Sequence, residues 1–220
     1  MYNKIKNIFR LRSRQAGFTL LEMLIALSVI SVGVMAAFTL STANLNTAKA
    51  NYSRVLAANL AREGLEAVRN IRDTNWLKIQ ANADCGATLC TWDNNLDQGT
   101  STISYDSGDD LGILINASDI SACFADKSCI LKIKNDTGYN IYTHSGGDET
   151  NIARLIILKA ICRDSDDTLA IQNSSDENCG ATFEEKVGLQ VTSQVYWQDF
   201  NKSHTLEAVE ELYNWREYEN

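Results

Sequence analysis

The spacing of apolar and polar positions along this chain changes twice. Residues 18–40 form a 23-residue run in which Glu22 is the only charge, and 23–40 carries none. A run of that length makes about 30 Å of helix, the thickness of one hydrocarbon core. From residue 41 the apolar positions thin to a helical stripe at Leu45, Tyr52, Val55, Leu56, Leu60, Val68 and Ile71, with Arg54, Arg62, Glu63, Glu66, Arg69 and Arg72 among them. Arg62/Glu66 and Arg69/Asp73 stand four apart, the spacing of ion pairs on a solvated helix face. The pattern predicts one helix over 18–79, about 90 Å long at 1.5 Å per residue. Its first half suits lipid or an apolar assembly core, and its second half packs a stripe against a head.

Beyond residue 80 the period shortens. Runs of β character occur at 102–105, 111–115, 129–133, 139–142, 152–161 and 187–197, separated by Asn, Asp, Ser and Gly. The clearest strand is 187–197, with 152–162 as its expected partner, whereas 206–215 reads equally as a short helix or a strand. The predicted class is α+β, an antiparallel sheet on a long helix.

Composition sharpens this picture in two places. Proline is absent from all 220 residues, so turns rest on Gly, Asn, Asp and Ser and no ring interrupts the helix. Charge is uneven: the ionised side chains before Phe18 are all basic (Lys4, Lys6, Arg10, Arg12, Arg14), so the net charge of −8 becomes −13 without residues 1–17. A body this acidic repels polyphosphates, and no nucleic-acid partner is expected. Basic residues before the apolar run place the N-terminus in the cytoplasm and residues after about 41 outside.

An uncleaved signal anchor, a secretory signal cut after Ala36 with Val34 as the other small residue, and a buried core helix all compete for the apolar run. Glu22 argues against each of them. A carboxylate there costs several kcal/mol unless it is paired, so it calls for a cationic partner.

The stretch Gly17-Phe18-Thr19-Leu20-Leu21-Glu22-Met23-Leu24-Ile25-Ala26, behind its basic leader, resembles the type IV prepilin signature shared by type IV pilins and the pseudopilins of type II secretion. The resemblance implies a pilin-like fold with four parts: a cleaved leader 1–17, a transmembrane and assembly segment 18–40, an amphipathic half 41–79 and a β-rich extracytoplasmic head 80–220. It implies cleavage between Gly17 and Phe18 on the cytoplasmic side, N-methylation of Phe18, and retention of the helix, with Thr19 and Glu22 serving assembly. Cleavage creates an amine four residues from Glu22, and a neighbour's amine would select the subunit register. Where many pilins carry a proline this chain has Thr39. Residues 61–73, 195–197 and 213–216 look like those of the PilV-like, pilus-modification group of minor pilins.

The expected role is therefore structural: a minor subunit of a type IV pilus or pilus-like fibre. The alternatives are a type II secretion pseudopilin and a tip adhesin. Expected partners are other pilin or pseudopilin subunits, the prepilin peptidase and N-methyltransferase, and inner-membrane lipid before release into an extracellular fibre. No cofactor and no enzymatic activity are expected.

The head carries six cysteines, Cys85, Cys90, Cys123, Cys129, Cys162 and Cys179, an even number on the predicted outer side, which points to disulfides. The sequential set 85/90, 123/129 and 162/179 is preferred among 15 possible pairings. Zinc is disfavoured, with no Cys-x-x-Cys and only His144 and His204 as imidazoles. Asp93, Asn95 and Asp97 alternate as in a calcium loop, but Gly99 falls one place late and Ser104 replaces the bidentate glutamate. Asp106, Asp109 and Asp110, like Asp164, Asp166 and Asp167, read first as solvated loops and second as calcium sites. Neither histidine sits in a nucleophile motif, and both are expected on the surface or in strands. Trp197, Tyr213, Trp215 and Tyr218 read as core and rim.

Overall fold

The computed structural model describes residues 19–81, 90–96, 99–105, 111–114, 119–136, 138–172, 179, 185–199 and 202–215. The leader, Gly17, Phe18, Cys85, Asp97, Asp106, Asp109, Asp110, Ile115, Arg216 and Tyr218 lie outside the described residues. Two compact units divide at Lys49 and Ala50. A helix, α1 (Leu20–Gln80), starts in the first unit and ends in the second.

In the first unit α1 is exposed on every face, and it is long and apolar enough to cross a membrane. Five of its hydroxyls are bonded within the helix, among them four that each donate to one carbonyl. Ser28 donates to the Ile25 carbonyl (2.7 Å), Ser31 to Ser28 (2.8 Å), Thr39 to Met35 (2.9 Å) and Thr47 to Ala43 (2.9 Å). At Thr39 the helix continues unbroken, because threonine keeps the backbone N–H that a proline would remove.

In the second unit the buried face of α1 is Ala57, Leu60, Ala61, Gly64, Ala67, Val68, Ile71, Asn75 and Trp76, a succession of three- and four-residue steps. Ala57, Ala61, Gly64 and Ala67 let the helix settle close to the sheet. A Cβ on Gly64 would lie 2.5 Å from Ser193 Oγ and 2.7 Å from Ile156 Cδ1, so a larger residue at that crossing requires those side-chain ends to shift. This corrects the expected stripe: Leu45, Tyr52 and Val55 are exposed, and burial begins at Leu56 and Ala57. The ion pairs also differ. Arg69 joins Glu66 three residues back and Glu210 of the sheet, while Asp73 pairs with its neighbour Arg72. A guanidinium at the helix–sheet boundary reaches both partners, which displaces the purely intrahelical pairing.

The strands are β1 (Gly99–Tyr105), β2 (Leu111–Leu114), β3 (Ile130–Asp136), β4 (Tyr139–Thr143), β5 (Asp148–Arg163), β6 (Leu169–Ile171), β7 (Glu185–Asp199) and β8 (Lys202–Tyr213), with a short α2 (Ile120–Ala125) before β3. All described pairings are antiparallel. β5 is central. One edge pairs with β7 from Ile152↔Trp197 to Arg163↔Glu185, and the other is shared in turn by β3, β1 and β6. β4 adds to β3, β2 to β1 and β8 to β7.

The apolar run of β5 follows from cover on both faces. Ile156 and Leu158 meet Val68 and Ile71 of α1, while Ala153 and Leu155 meet Ile120 and Cys123 of α2. The ambiguous 206–215 stretch resolves as β8, because every second residue from Leu206 to Leu212 faces the helix side and Gly188↔Tyr213 to Asp199↔Lys202 pair without a break. Burial of Leu60, Val68 and Ile71 contributes about 1.5–3 kcal/mol each.

Candidate functional site

The start of α1 is built by its own side chains. The Glu22 N–H donates to Thr19 Oγ1 (3.3 Å), and the Met23 N–H donates to the Thr19 carbonyl oxygen (3.2 Å). Thr19 is thus the N-cap and Glu22 the third helical residue. Thr-Leu-Leu-Glu has the spacing of a capping box, a signal the sequence itself carries. The exposed carboxylate stands in the first turn, where the helix dipole favours a negative charge. Glu22 is the one ionised group between Thr19 and Lys49.

Residues 12–38 match the family model for the prokaryotic N-terminal methylation motif. The chain carries a type IV prepilin-like signal. The match spans Gly17, Phe18, Thr19 and Glu22. The prepilin-like signal, followed by an apolar helix and an antiparallel sheet, is consistent with the type IV pilin-like fold. Such a signal implies peptidase processing, assembly with other pilin subunits and membrane anchoring, and it marks structural rather than catalytic chains. Comparison with curated proteins and with solved structures returns no match.

The remaining candidates disperse over the second unit. Disulfides join Cys123 to Cys129, tying α2 to the start of β3, and Cys162 to Cys179; Cys90 is also disulfide-bonded. Asp93 bonds Lys186 Nζ at 2.7 Å. Burial pushes the Asp93 carboxyl up, but the Lys186 hydrogen bond and charge outweigh it and hold the group below the usual carboxylate range. Asn95, at φ 63°, makes a turn that Asn75 of α1 anchors by donating to the Trp92 and Asn94 carbonyls (3.2 and 2.7 Å). Asp164, Asp166 and Asp167 lie in the turn between β5 and β6, with Asp167 3.7 Å from Arg163. Among the described residues no three His, Cys, Asp or Glu side chains are placed to hold a metal ion.

His204 stacks on Trp197 with ring centroids 5.2 Å apart, and Trp215 packs beside Trp76 at 6.2 Å. His144, expected on the surface or in a strand, directly follows a strand. It is half-buried after β4, with Nδ1 2.6 Å from the Ile103 carbonyl oxygen. Burial, with the Arg154 charge adding to it, pushes the imidazole down to about 4.

Arg154 was not among the sequence candidates. It projects from β5 toward α1 and is fully buried; its Nη1 donates to the Leu60 carbonyl (3.3 Å) and lies 3.2 Å from Glu63 Oε1. Arg154 Nε and Nη2, Ser193 Oγ and His144 Nε2 are buried without a hydrogen-bond partner. An arginine inside Ile152-Ala-Arg-Leu-Ile-Ile, an otherwise apolar strand run, was the available signal.

Proposed function

We propose that the chain is a structural subunit, a minor component, of a type IV pilus or pilus-like fibre. A prepilin peptidase cuts between Gly17 and Phe18 on the cytoplasmic side of the inner membrane, Phe18 is N-methylated, and the helix stays with the mature chain. The retained segment anchors the subunit with its N-terminus in the cytoplasm, and the second unit stands outside until assembly delivers it to the fibre. In the fibre the Glu22 carboxylate meets the Phe18 amine of a neighbouring subunit. In apolar surroundings that pairing penalises every other register, so Glu22 selects register more than it adds stability. The observation that carries this reading is the methylation-motif match over residues 12–38, with Glu22 at the first turn of an apolar helix. Mass spectrometry of the mature N-terminus tests it. The expected terminus is methylated Phe18; an intact leader, or a terminus after Ala36, overturns the reading.

A further inference from the structure

β8 ends the sheet, and among the described residues its one strand neighbour is β7. The ladder between them is regular from Gly188↔Tyr213 to Asp199↔Lys202. The Asn214 N–H donates to the Val187 carbonyl (2.8 Å), which fixes the phase. Even-numbered residues of β8 turn their N–H and C=O groups to β7, and Ser203, Thr205, Glu207, Val209, Glu211 and Tyr213 turn theirs to the open edge. The same six residues have side chains exposed on the face away from α1.

Natural edge strands are blunted by prolines, bulges, short length or charged side chains. β8 has none of the first three: it runs 12 residues with no register shift and no proline. What the edge carries is charge, with Glu207 and Glu211 flanking Val209, which is 55% exposed. A second copy of β8 laid antiparallel about Val209 would set Glu207 against Glu211, and like charges directly opposite are destabilising. In that register the pattern opposes its own strand and suits one of opposite sign.

We propose that β8 accepts an extended strand from another fibre subunit, one with Lys or Arg at alternate positions and a β-branched residue between them, added as an outer strand of the sheet. The proposal rests on the fibre reading for the presence of that neighbour. Backbone hydrogen bonds from the six outward residues hold the strand, and Glu207 and Glu211 choose its sign.

The test uses the full chain in detergent micelles and a synthetic peptide of alternating lysine and valine, matched to β8 in length, followed by amide hydrogen exchange. The expected result is slowed exchange, about tenfold or more, at the six outward amides and little change at the even-numbered ones. Binding should weaken about tenfold in the Glu207→Lys/Glu211→Lys double variant. A peptide N-methylated at its lysine amides, the groups that face β8 when lysine stands opposite Glu207 and Glu211, should bind about tenfold more weakly. Equal binding of the methylated peptide, or unchanged exchange at the six amides with peptide bound, overturns the proposal. The mature-terminus measurement is independent, so methylated Phe18 together with a failed peptide test removes the strand proposal alone.

Discussion

Arg154 and Glu63 allow a quantitative test of how α1 is seated on the sheet. The Arg154 side chain has 0% exposure and that of Glu63 has 36%, at a contact of 3.2 Å. At an effective dielectric constant of about 20 the gross attraction is about 5 kcal/mol. Removing one partner of a buried pair typically costs about 3–5 kcal/mol, because the other charge is left uncompensated. Glu63 is open to water on one side, so Glu63→Gln should sit near the lower end, about 3 kcal/mol destabilising. Arg154→Met removes the charge together with its desolvation penalty and should stay within about 1 kcal/mol of the parent. Glu63→Gln/Arg154→Met should then match Arg154→Met alone, a coupling of about 3 kcal/mol. All four tryptophans, Trp76, Trp92, Trp197 and Trp215, lie in the second unit, so their fluorescence reports its unfolding in urea. With a slope of about 2 kcal/mol per molar, Glu63→Gln should lower the midpoint by about 1.5 M. Arg154→Met as damaging as Glu63→Gln, with the two losses adding in the double variant, would refute the reasoning.

Glu22→Val should leave membrane insertion intact and deplete the chain from sheared fibres, as read by quantitative immunoblotting; normal incorporation would remove Glu22 from assembly. His144 gives a pH dependence. Its folded value of about 4 lies below the ordinary 6.5, so its contribution is fully present above about pH 6.5 and is lost as pH falls toward 4. The loss approaches about 3 kcal/mol, and His144→Gln should flatten stability across that window in pH-resolved urea melts. Cys162→Ser/Cys179→Ser opens a closure spanning 17 residues and should cost about 3 kcal/mol, measured by the same melts without reductant.

The first half of α1 was legible because one property, uninterrupted apolarity, decides it. The signature around Glu22 was legible because processing requires particular residues at fixed spacing. The second half misled at Leu45, Tyr52 and Val55, where apolar character was read as contact. Leu60, Val68 and Ile71 of that stripe make the contact as expected, beside Ala57, Ala61, Gly64 and Ala67, whose small size a search for large apolar residues passes over. β5 and β7 were visible as long β-branched runs. α2, with six residues, is too short to display a helical period, and three-residue β6 exists only because β5 offers an edge to it. Arg154 and His144 act through burial, a property of the assembled sheet that neighbouring letters along the chain do not express.

The hydroxyls of Ser28, Ser31, Thr39 and Thr47, each tied to a carbonyl of its own helix, have a consequence for movement between environments. A polar group that is already satisfied internally asks nothing of its surroundings. The segment can leave lipid for protein, or return, without exchanging those hydrogen bonds, so its transfer free energy is set by shape and dispersion along most of its length. In the proposed assembly Glu22 and the Phe18 amine are the ionised groups whose partners change on the way, which concentrates the electrostatic selectivity of that passage at the first turn of the helix.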